Sequence, residues 1–436
     1  MSAASAPSLR PGQPFRTVNH RRGTVGPLLG AGGQGECYQA EVDGLPFALK
    51  WYHRHYIEID TGLRGRLERA VRRGAPTGSF LWPHDLVEIE GSGSFGYFMS
   101  LRGQSYVSIR DLIAAPPKRV ELDLARRARI CSQLAESFLE LHASGFCYQD
   151  INFGNIFFEP DSARILICDN DNVNIDGADA SIYGTRKFMA PEVVRREVLP
   201  SSRTDLYSMA VLFFYTLLGW HPLDGKREHE ITLMDAGAEN LLYGLEPLFL
   251  FDPANDANGP VPGYHDAIVA RWRSLPGPLR ALFVRAFTRG LHDPGARVLE
   301  TQWRTALARI PGAVHSCAHC GFEHVAELRA GKAAAHADCL ACAQPMTPPY
   351  FLIMGQRSER LAVGDQIGDG AGRVEVHPTR PDVLGLRNLT QATWQAGAPS
   401  GSLHSVPPGK TVRLLPGVRI DFGDKSATVA GAERLA

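Results

Sequence analysis

The length, composition and charge of the chain limit what it can be. Its 436 residues are enough for two or three domains that each bury an apolar core. The 46 basic and 46 acidic side chains balance, so no overall field attracts nucleic acid or an anionic membrane. The longest apolar run, residues 209–218, is about half of the roughly 20 residues that a membrane-spanning helix needs. Neither nucleic acid nor a membrane is therefore expected as a partner.

The first residues indicate no secretory signal. Residues 1–13 are rich in small residues and proline, without a basic segment followed by an apolar run. A disordered tail is expected over residues 1–20. Four of the eight cysteines are scattered and four form spaced pairs, which suits a reducing cytoplasm better than a disulfide framework.

A glycine-rich segment opens the first predicted lobe, residues 21–102, where short alternating apolar runs indicate a small antiparallel sheet. Gly30, Gly32 and Gly35 form a G-x-G-x-x-G pattern, whose missing side chains let backbone N–H groups approach phosphate oxygens. A plain hairpin turn is the alternative interpretation, and a dinucleotide site would need a helix directly after the loop.

Lys50 ends the strand-like segment FALK. A lysine in an apolar strand is costly to desolvate unless anionic groups accompany it. We expect ATP phosphates and a carboxylate from the single helix predicted in this lobe, over residues 65–73. Glu68 is the expected carboxylate and Glu58 the alternative; a lysine that reaches solvent from an edge strand is the competing interpretation.

Two polar clusters flank apolar strands further along the chain, YQDINFGN at 148–155 and CDND at 168–171. Phosphoryl transfer needs an Asp that orients the attacking hydroxyl, and an Asn and a second Asp that hold Mg²⁺ against the phosphates. Asp150, Asn155 and Asp169 supply this set in order. Two ordinary polar loops are the structural alternative.

Helical periodicity over residues 122–142, 205–218 and 278–290 predicts a second lobe that is mainly α. With the segment GTRKFMAPE at 184–192, the motifs resemble the eukaryotic-like Ser/Thr protein kinases of bacteria. Residues 184–192 are similar to the end of a kinase activation loop. The resemblance implies an α+β, bilobal protein-kinase fold over residues 21–312, with lobes at 21–102 and 103–312.

The resemblance also implies a role for each matching residue. Lys50 would contact the α- and β-phosphates of ATP, Glu68 would fix Lys50, and Asp150 would be the catalytic base. Asn155 and Asp169 would bind Mg²⁺ or Mn²⁺.

Three further positions are assigned by the same resemblance. Met99 would lie at the back of the adenine pocket, with residues 100–103 as the hinge between lobes. Arg297 of the DPGAR motif would pair with Glu192, since neither charge is tolerated alone at a buried site.

The sequence departs from the family pattern near the expected site. YQD at 148–150 replaces His-Arg-Asp, so the arginine that grips a phosphorylated loop is absent. Asn152 replaces the lysine that steadies the γ-phosphate, and DND at 169–171 replaces Asp-Phe-Gly. These departures predict slow turnover and argue against activation by loop phosphorylation. The candidate autophosphorylation sites are Ser181, Tyr183 and Thr185.

Residues 169–173 and 205–225 resemble a bacterial kinase group encoded near metal-dependent phosphatases and von Willebrand A-type proteins. That resemblance implies stress signalling, with a cognate phosphatase and a von Willebrand A-type protein as partners beside the protein substrates. Two alternatives stay open: an aminoglycoside-type small-molecule phosphotransferase, and a pseudokinase scaffold that binds nucleotide without transfer. The segment at 184–192 favours a protein substrate, and the retained polar residues favour catalysis.

Two C-x₂-C pairs, Cys317 with Cys320 and Cys339 with Cys342, stand 18 residues apart. This spacing predicts a structural four-thiolate zinc ribbon over residues 313–348. His319 and His336 are the alternative ligands.

Residues 349–436 contain glycine- and valine-rich short strands that predict a small all-β domain. The segments at 385–390 and 414–423 resemble a trimmed forkhead-associated sandwich, a module that can bind phosphothreonine peptides. The sequence offers no convincing Arg and Ser pair for a phosphate, so a structural or protein-docking domain is the competing interpretation.

Overall fold

The computed structural model describes residues 7–177, 183–329, 332–347, 349–355, 357–367, 370–398 and 401–435. The chain divides into two compact units. The first unit comprises Met1–Leu122, Ile130–Gly259 and Val284–Arg304, and the second comprises Asp123–Arg129, Pro260–Phe283 and Thr305–Ala436. The division differs from the predicted boundary at residue 312, because two earlier segments belong with the C-terminal residues.

A closed antiparallel barrel of six strands forms the beginning of the first unit, in the order β1-β2-β3-β4-β6-β5. Its apolar side chains, among them Val25, Tyr38 and Leu49, pack inside it. The strands are β1 (Pro14–Thr17), β2 (Arg22–Ala31), β3 (Gly35–Val42), β4 (Leu45–Tyr52), β5 (Asp85–Glu88) and β6 (Phe95–Ser100).

Strand β1 lies within the segment predicted as a disordered tail, so that prediction is wrong for this part of residues 1–20. Leu9 and Phe15 are buried in the barrel core. The backbone N–H groups of Ser8 and Leu9 donate to the Glu36 carboxylate at 2.9 Å and to the Tyr38 hydroxyl at 3.1 Å. Burial of two large apolar side chains offsets the entropy lost when this short segment is ordered.

Two helices follow the fourth strand, α1 (Arg54–Ile59) and α2 (Leu63–Arg73), where the sequence predicted one. Helix α2 buries Leu63, Leu67 and Ala70, which recur at the spacing of one helical face. Gly74, with a φ of 78°, ends the helix in a conformation that favours glycine.

The following residues are mainly helical, as the periodicity predicted. The short strands are β7 (Val107–Ser108), β8 (Phe146–Cys147), β9 (Ile156–Phe158), β10 (Ile165–Ile167) and β11 (Asn174–Ile175). The helices are α3 (Leu124–Ala143), α4 (Pro191–Val194), α5 (Ser202–Leu218), α6 (Lys226–His229), α7 (Ala236–Asn240), α8 (Asp266–Ser274), α9 (Gly277–Phe287), α10 (Arg289–His292) and α11 (Glu300–Leu307).

Helix α5 is buried on all sides from Thr204 to Leu218, which explains its unbroken apolar run. A capping box between Ser201 and Thr204 starts the helix, and Gly219 ends it with a φ of 75°. No helix in the described part of the chain combines the length and apolarity needed to cross a bilayer.

The second unit contains a continuous sheet that joins the cysteine-rich segment to the C-terminal strands. The cysteine-rich segment contributes β14 (Glu327–Arg329) and β15 (Lys332–His336) to this sheet, whereas β12 (Val314–Ser316) and β13 (Glu323–Val325) form a separate two-stranded sheet. The last strand, β25 (Ser426–Leu435), pairs in parallel with β15 and antiparallel with β16 (Tyr350–Met354) and β24 (Arg419–Asp421). The hairpin of β14 and β15, between the two cysteine pairs, therefore extends the sheet of the C-terminal strands.

The remaining C-terminal strands surround a core that includes Val374, Leu386, Trp394 and Ile420. A four-stranded sheet has the order β18-β19-β20-β23. The strands are β17 (Arg357–Leu361), β18 (Gln366–Ile367), β19 (Gly372–His377), β20 (Arg380–Asn388), β21 (Trp394–Gly397), β22 (His404–Val406) and β23 (Thr411–Arg413). The likeness to a forkhead-associated sandwich stays a prediction.

Two glutamates of the cysteine-rich segment accept hydrogen bonds at helix N-termini within the second unit. The N–H of Leu124, at the start of α3, donates to Glu323 at 2.8 Å, and the N–H of Gly277, at the start of α9, donates to Glu327 at 2.7 Å. Each carboxylate satisfies a backbone donor that the helix leaves unpaired and also complements the positive end of the helix dipole.

We predict that Glu327→Gln lowers the free energy of unfolding by about 1 kcal/mol, because it removes the charge at the start of α9. Denaturant unfolding of the full chain at low and high salt measures the effect, which should shrink as salt screens the dipole. Glu433→Gln, at an exposed position of β25, is the matched control. Equal stability of the two variants would contradict the capping role.

Candidate functional site

Strand β4 places Lys50 between β3 and β6, opposite Cys37 and Tyr97. Its Nζ lies 2.7 Å from Asp171 Oδ2 and 3.3 Å from Asp169 Oδ1, and the side chain is only 10% exposed. The ammonium also donates to Gln34 Oε1, in the glycine-rich turn, at 3.0 Å. The fold therefore brings this lysine to carboxylates more than a hundred residues away, in the CDND cluster.

Lys50 keeps its positive charge in this buried position. Burial favours the neutral amine, but Asp171 and then Asp169 outweigh it, so the pKa of Lys50 is raised above its ordinary value. Burial in turn raises the pKa of Asp169, against the lowering effect of Lys50. The cleft thus holds a cation with a surplus of acidic groups around it.

Glu68 does not fix Lys50 in this structure, so the predicted pairing is wrong. The Glu68 carboxylate accepts from Arg64 Nε at 3.1 Å and its side chain is 48% exposed. It lies one residue after the buried Leu67, and a helix turns by about 100° per residue, so its side chain points away from the core. The alternative, Glu58, pairs with Arg54 on the surface.

Asp171 is the carboxylate partner of Lys50, which the sequence did not predict. Its side chain is 1% exposed, and its Oδ2 accepts from both Lys50 and the Tyr52 hydroxyl, the latter at 2.6 Å. From the sequence, DND at 169–171 is a departure from the family pattern, and no role is predicted for Asp171. Two acids separated by one residue directly after an apolar strand were the available signal.

Asp150 and Asn155 meet in the loop between β8 and β9. Asn155 Nδ2 donates to the backbone carbonyl of Asp150 at 2.9 Å and lies 3.4 Å from Asp150 Oδ2. The other carboxylate oxygen accepts from the Thr185 hydroxyl at 2.9 Å. Two side chains therefore orient the Asp150 carboxylate, one from its own loop and one from the GTRKFMAPE segment.

A backbone hydrogen bond links this loop to the loop that carries Asp169. The N–H of Cys168 donates to the carbonyl of Asn155 at 2.8 Å. Asp169 itself adopts the left-handed region, with a φ of 50°, and its side chain remains 44% exposed. Such a conformation in a residue other than glycine is typical of functional sites, and it turns an otherwise buried segment outward at this one position.

Asp205, at the start of α5, holds the backbone ahead of Asp150. The N–H groups of Tyr148 and Gln149 donate to its two carboxylate oxygens at 2.6 and 3.0 Å. Gln149 has a φ of 74°, a strained conformation that these bonds help to maintain. From the sequence, DLYS at 205–208 is predicted to start a buried helix. The anchoring role of Asp205 is not predicted.

The glycine-rich turn joins β2 to β3 as a hairpin closed by a bond from the Gly32 N–H to the Gly35 carbonyl at 2.8 Å. A Cβ at Gly35 would lie 2.2 Å from the Trp51 carbonyl oxygen, so close strand packing requires glycine there. A Cβ at Gly30 or Gly32 would meet no atom within 4 Å. Packing therefore leaves the backbone on this side of the turn open to a ligand.

Met99, near the end of β6, is buried in a cluster with Ala48, Cys37 and Cys168. On the barrel sheet, Cys37 pairs directly with Lys50 and Ala48 pairs directly with Met99, so this apolar group lies beside Lys50. Residues 101–103 after the strand have no regular secondary structure, as the predicted hinge requires.

The expected ion pair between Glu192 and Arg297 is present, with an Arg297 Nη2 to Glu192 distance of 2.8 Å and both side chains largely buried. Of the three candidate phosphorylation sites, Ser181 lies outside the described residues. Tyr183 is partly exposed, and the Thr185 hydroxyl is bonded to Asp150.

The four predicted zinc ligands come together in the second unit. All four sulfur atoms lie within 4.8 Å of one another, with Cys317 to Cys342 at 3.8 Å and Cys320 to Cys339 at 3.6 Å. A tetrahedral ion with Zn–S bonds of about 2.3 Å requires sulfurs about 3.8 Å apart. The donor set and its spacing therefore fit Zn²⁺.

Both cysteine pairs are shaped by the same kind of turn. Each ends in a residue of positive φ directly after its second cysteine, Gly321 at 75° and Ala343 at 56°. Among the alternative ligands, His336 Nε2 bonds to the carbonyl of Arg273 at 3.2 Å, and His319 is exposed. Within the described residues, the four cysteines are the one group of three or more His, Cys, Asp or Glu side chains whose ligand atoms converge closely enough to hold a metal.

The ring of His142, on α3, lies between Asp205 at 3.1 Å and Glu300 at 2.5 Å. Burial lowers its pKa, but the hydrogen bonds to Asp205 and Glu300 outweigh that effect and raise the pKa to about 9. The imidazolium thus ties α3 and α11 to the carboxylate that holds the loop before Asp150.

We predict that this ion pair makes stability depend on pH. Because the folded pKa of about 9 exceeds the unfolded pKa of about 6.5, the contribution of about 3 kcal/mol is complete below pH 6.5 and is lost as the pH rises through 9. Unfolding free energies of the wild type and His142→Gln, measured between pH 6 and pH 9.5, should therefore converge as the pH rises. Parallel curves would exclude the charged imidazole.

Part of the chain is similar to known protein kinases. Residues 98–246 match the family described as the protein kinase domain. CBL-interacting protein kinase 4 of Oryza sativa subsp. japonica is 26% identical over 210 residues, 46% of this chain and 45% of that protein. Serine/threonine-protein kinase pkn2 of Myxococcus xanthus is 27% identical over 231 residues, 49% of this chain and 26% of that protein.

Among solved structures, the PknI kinase domain of Mycobacterium tuberculosis matches with a TM-score of 0.45 and 20% identity, over 69% of this chain and 98% of that chain. This chain spans less than half the length of the two curated relatives. Residues 98–246 are thus similar to the protein kinase domain family, and the relatives of the chain include a serine/threonine-protein kinase.

Proposed function

We propose that this protein is an ATP-dependent protein kinase that transfers the γ-phosphate to Ser or Thr hydroxyls. One observation carries the proposal: Lys50 lies 3.3 Å from Asp169, whose loop is hydrogen-bonded to the loop that carries Asp150 and Asn155. A cation for phosphates, two oxygen ligands for a hard metal and a base for a hydroxyl thus belong to one cleft of the first unit.

Each residue has a distinct role in this proposal. The Lys50 ammonium neutralises and positions the phosphates, and the open backbone at Gly30 and Gly32 covers them. Asn155 and Asp169 would hold Mg²⁺ or Mn²⁺, which neutralises phosphate charge when bound. Asp150 orients the substrate hydroxyl and accepts its proton.

A protein acceptor is supported by the ordered segment beside Asp150. Thr185 bonds to the proposed base, and Glu192, at the end of the same segment, is anchored by the buried Arg297. A small-molecule phosphotransferase has no need of such a segment, and a non-catalytic scaffold has no need of an oriented Asp150. Both remain the alternatives that the next experiment separates.

We expect Asp150→Asn to reduce phosphate transfer at least about 100-fold and to retain nucleotide binding, because the amide accepts no proton. Lys50→Met should lose both transfer and tight nucleotide binding. Labelled ATP with Mg²⁺ or Mn²⁺, protein acceptors and small acceptors measures transfer, and calorimetry measures binding. Asp161→Asn, in an exposed turn, is the matched control.

The distribution of label decides among the candidates. Label on protein supports the proposal, label on a small acceptor supports the phosphotransferase, and ATP binding without transfer supports the scaffold. Full activity of Asp150→Asn would remove Asp150 from its assigned role.

We also propose that Cys317, Cys320, Cys339 and Cys342 hold one structural zinc ion. Four thiolates complete the tetrahedron and leave no position for a catalytic water. Elemental analysis of the full chain should find about one zinc per chain. Cys339→Ser should lose the metal and lower the unfolding temperature, whereas His319→Ala should retain it. Zinc loss from His319→Ala but not from Cys339→Ser would overturn the ligand assignment.

The wider setting is proposed on the sequence resemblance alone. It comprises bacterial signalling or stress response in the cytoplasm, protein substrates, a cognate metal-dependent phosphatase and a von Willebrand A-type protein. Affinity purification of the wild type and of Asp150→Asn, followed by mass spectrometry of bound and phosphorylated proteins, tests the partners. Peptide-binding measurements with phosphothreonine peptides test the C-terminal strands.

A further inference from the structure

Helix α2 has a single acidic residue, Glu68, and turns it away from the barrel. The side chains on its buried face are Leu63, Arg66, Leu67 and Ala70. Positions three and four residues apart share a face, so a carboxylate at position 68 cannot join them without rotating the whole helix. The sequence of α2 therefore gives Lys50 no acidic partner on the side that packs inward.

The charged group that α2 does turn inward is a cation. Arg66 is 7% exposed and is held by the buried Asp60, with a distance of 2.9 Å between Nη1 and Oδ1. This bidentate pair fixes α2 to the turn before it. Rotation of α2 to bring Glu68 inward would break the pair and expose three apolar side chains, so the observed orientation is strongly favoured.

Asp171 supplies the carboxylate partner of Lys50 that α2 does not provide. It belongs to a 3-10 helix, Asn170–Asn172, that packs against α2. Asn170 anchors this short helix, since its Nδ2 donates to the Leu81 carbonyl at 2.8 Å and to the Ile167 carbonyl at 3.0 Å. The Tyr52 hydroxyl donates to Asp171 Oδ2 at 2.6 Å, beside the 2.7 Å contact with Lys50.

We propose, on the basis of the proposed kinase function, that Asp171 is the positioning residue that holds Lys50 for ATP. The anchor of the lysine and the proposed metal ligand Asp169 then belong to one segment of four residues, which Asn170 anchors. Placement of Lys50 follows the segment at 169–172 and does not depend on movement of α2. A signal that acts on this kinase would have to reach that segment to change nucleotide binding.

The first test requires no catalysis. Unfolding temperatures of the nucleotide-free full chain are measured for Lys50→Met, Asp171→Asn and the double variant. Asp171→Asn alone should lower the temperature by about 5 °C or more, because it removes the nearer and more buried of the two carboxylates that compensate the buried cation. In the Lys50→Met background the same substitution should cost less than half as much.

Glu68→Gln provides the matched comparison, since Glu68 is the only acid of α2. Its effect should be small and additive with Lys50→Met. Additivity of Asp171→Asn with Lys50→Met, together with coupling between Glu68→Gln and Lys50→Met, would overturn the proposal. Should Asp171→Asn alone fail to fold, a folded double variant would give the same support as a measured coupling, and failure of both would count against it.

The second test measures phosphate transfer. Asp171→Asn should raise the KM for ATP and lower kcat/KM at least about tenfold, since small displacements of a positioning group are costly. Tyr52→Phe keeps both charges and removes one hydrogen bond. Its loss of kcat/KM should therefore be clearly smaller than that of Asp171→Asn. Glu68→Gln should stay within about twofold of the wild type, at the level expected of a surface substitution.

The two tests separate this proposal from the proposed function. A wild type that transfers no phosphate overturns the kinase proposal, while the unfolding cycle still decides whether Asp171 is the partner of Lys50. Transfer by the wild type that is lost in Glu68→Gln and kept in Asp171→Asn overturns the positioning role alone.

Discussion

The buried ammonium group of Lys50 is the constraint on which the rest of the site depends. A cation that is 10% exposed on a barrel strand must have acidic partners, and Asp171 and Asp169 provide them at 2.7 and 3.3 Å. Both acids follow strand β10, so the pairing joins the barrel to the loop region of the same unit. The contacts that compensate for the desolvation of Lys50 also bring together the groups that would bind a triphosphate.

The loops around this cation are held by buried polar contacts rather than by apolar packing alone. Asp205 accepts from two backbone N–H groups ahead of Asp150, and His142 connects that carboxylate to Glu300. Such networks fix backbone in conformations that a loop would otherwise leave, including the positive φ of Gln149. The preorganisation that the proposed catalysis requires would therefore be maintained by residues outside the phosphate site.

Much of this architecture was open to prediction because chemistry restricts the residue types. Phosphoryl transfer admits few side chains in few roles, and Lys50, Asp150, Asn155 and Asp169 are of the types that those roles require. The C-x₂-C pairs likewise predicted a cluster whose sulfurs lie together in the structure. The prediction of a disordered tail was wrong for strand β1. Local composition does not indicate that a few apolar side chains will be buried against a distant strand.

The sequence by itself determined which residues can perform the chemistry, since identity and order are properties of the chain. Tertiary structure alone decided which acid meets Lys50, because the direction of a side chain on α2 depends on which helix face the barrel covers. The covered face carries Leu63, Leu67 and Ala70, so Glu68 points to solvent. Asp171 reaches Lys50 only because the two strands that flank the cleft are brought together across 121 residues of sequence.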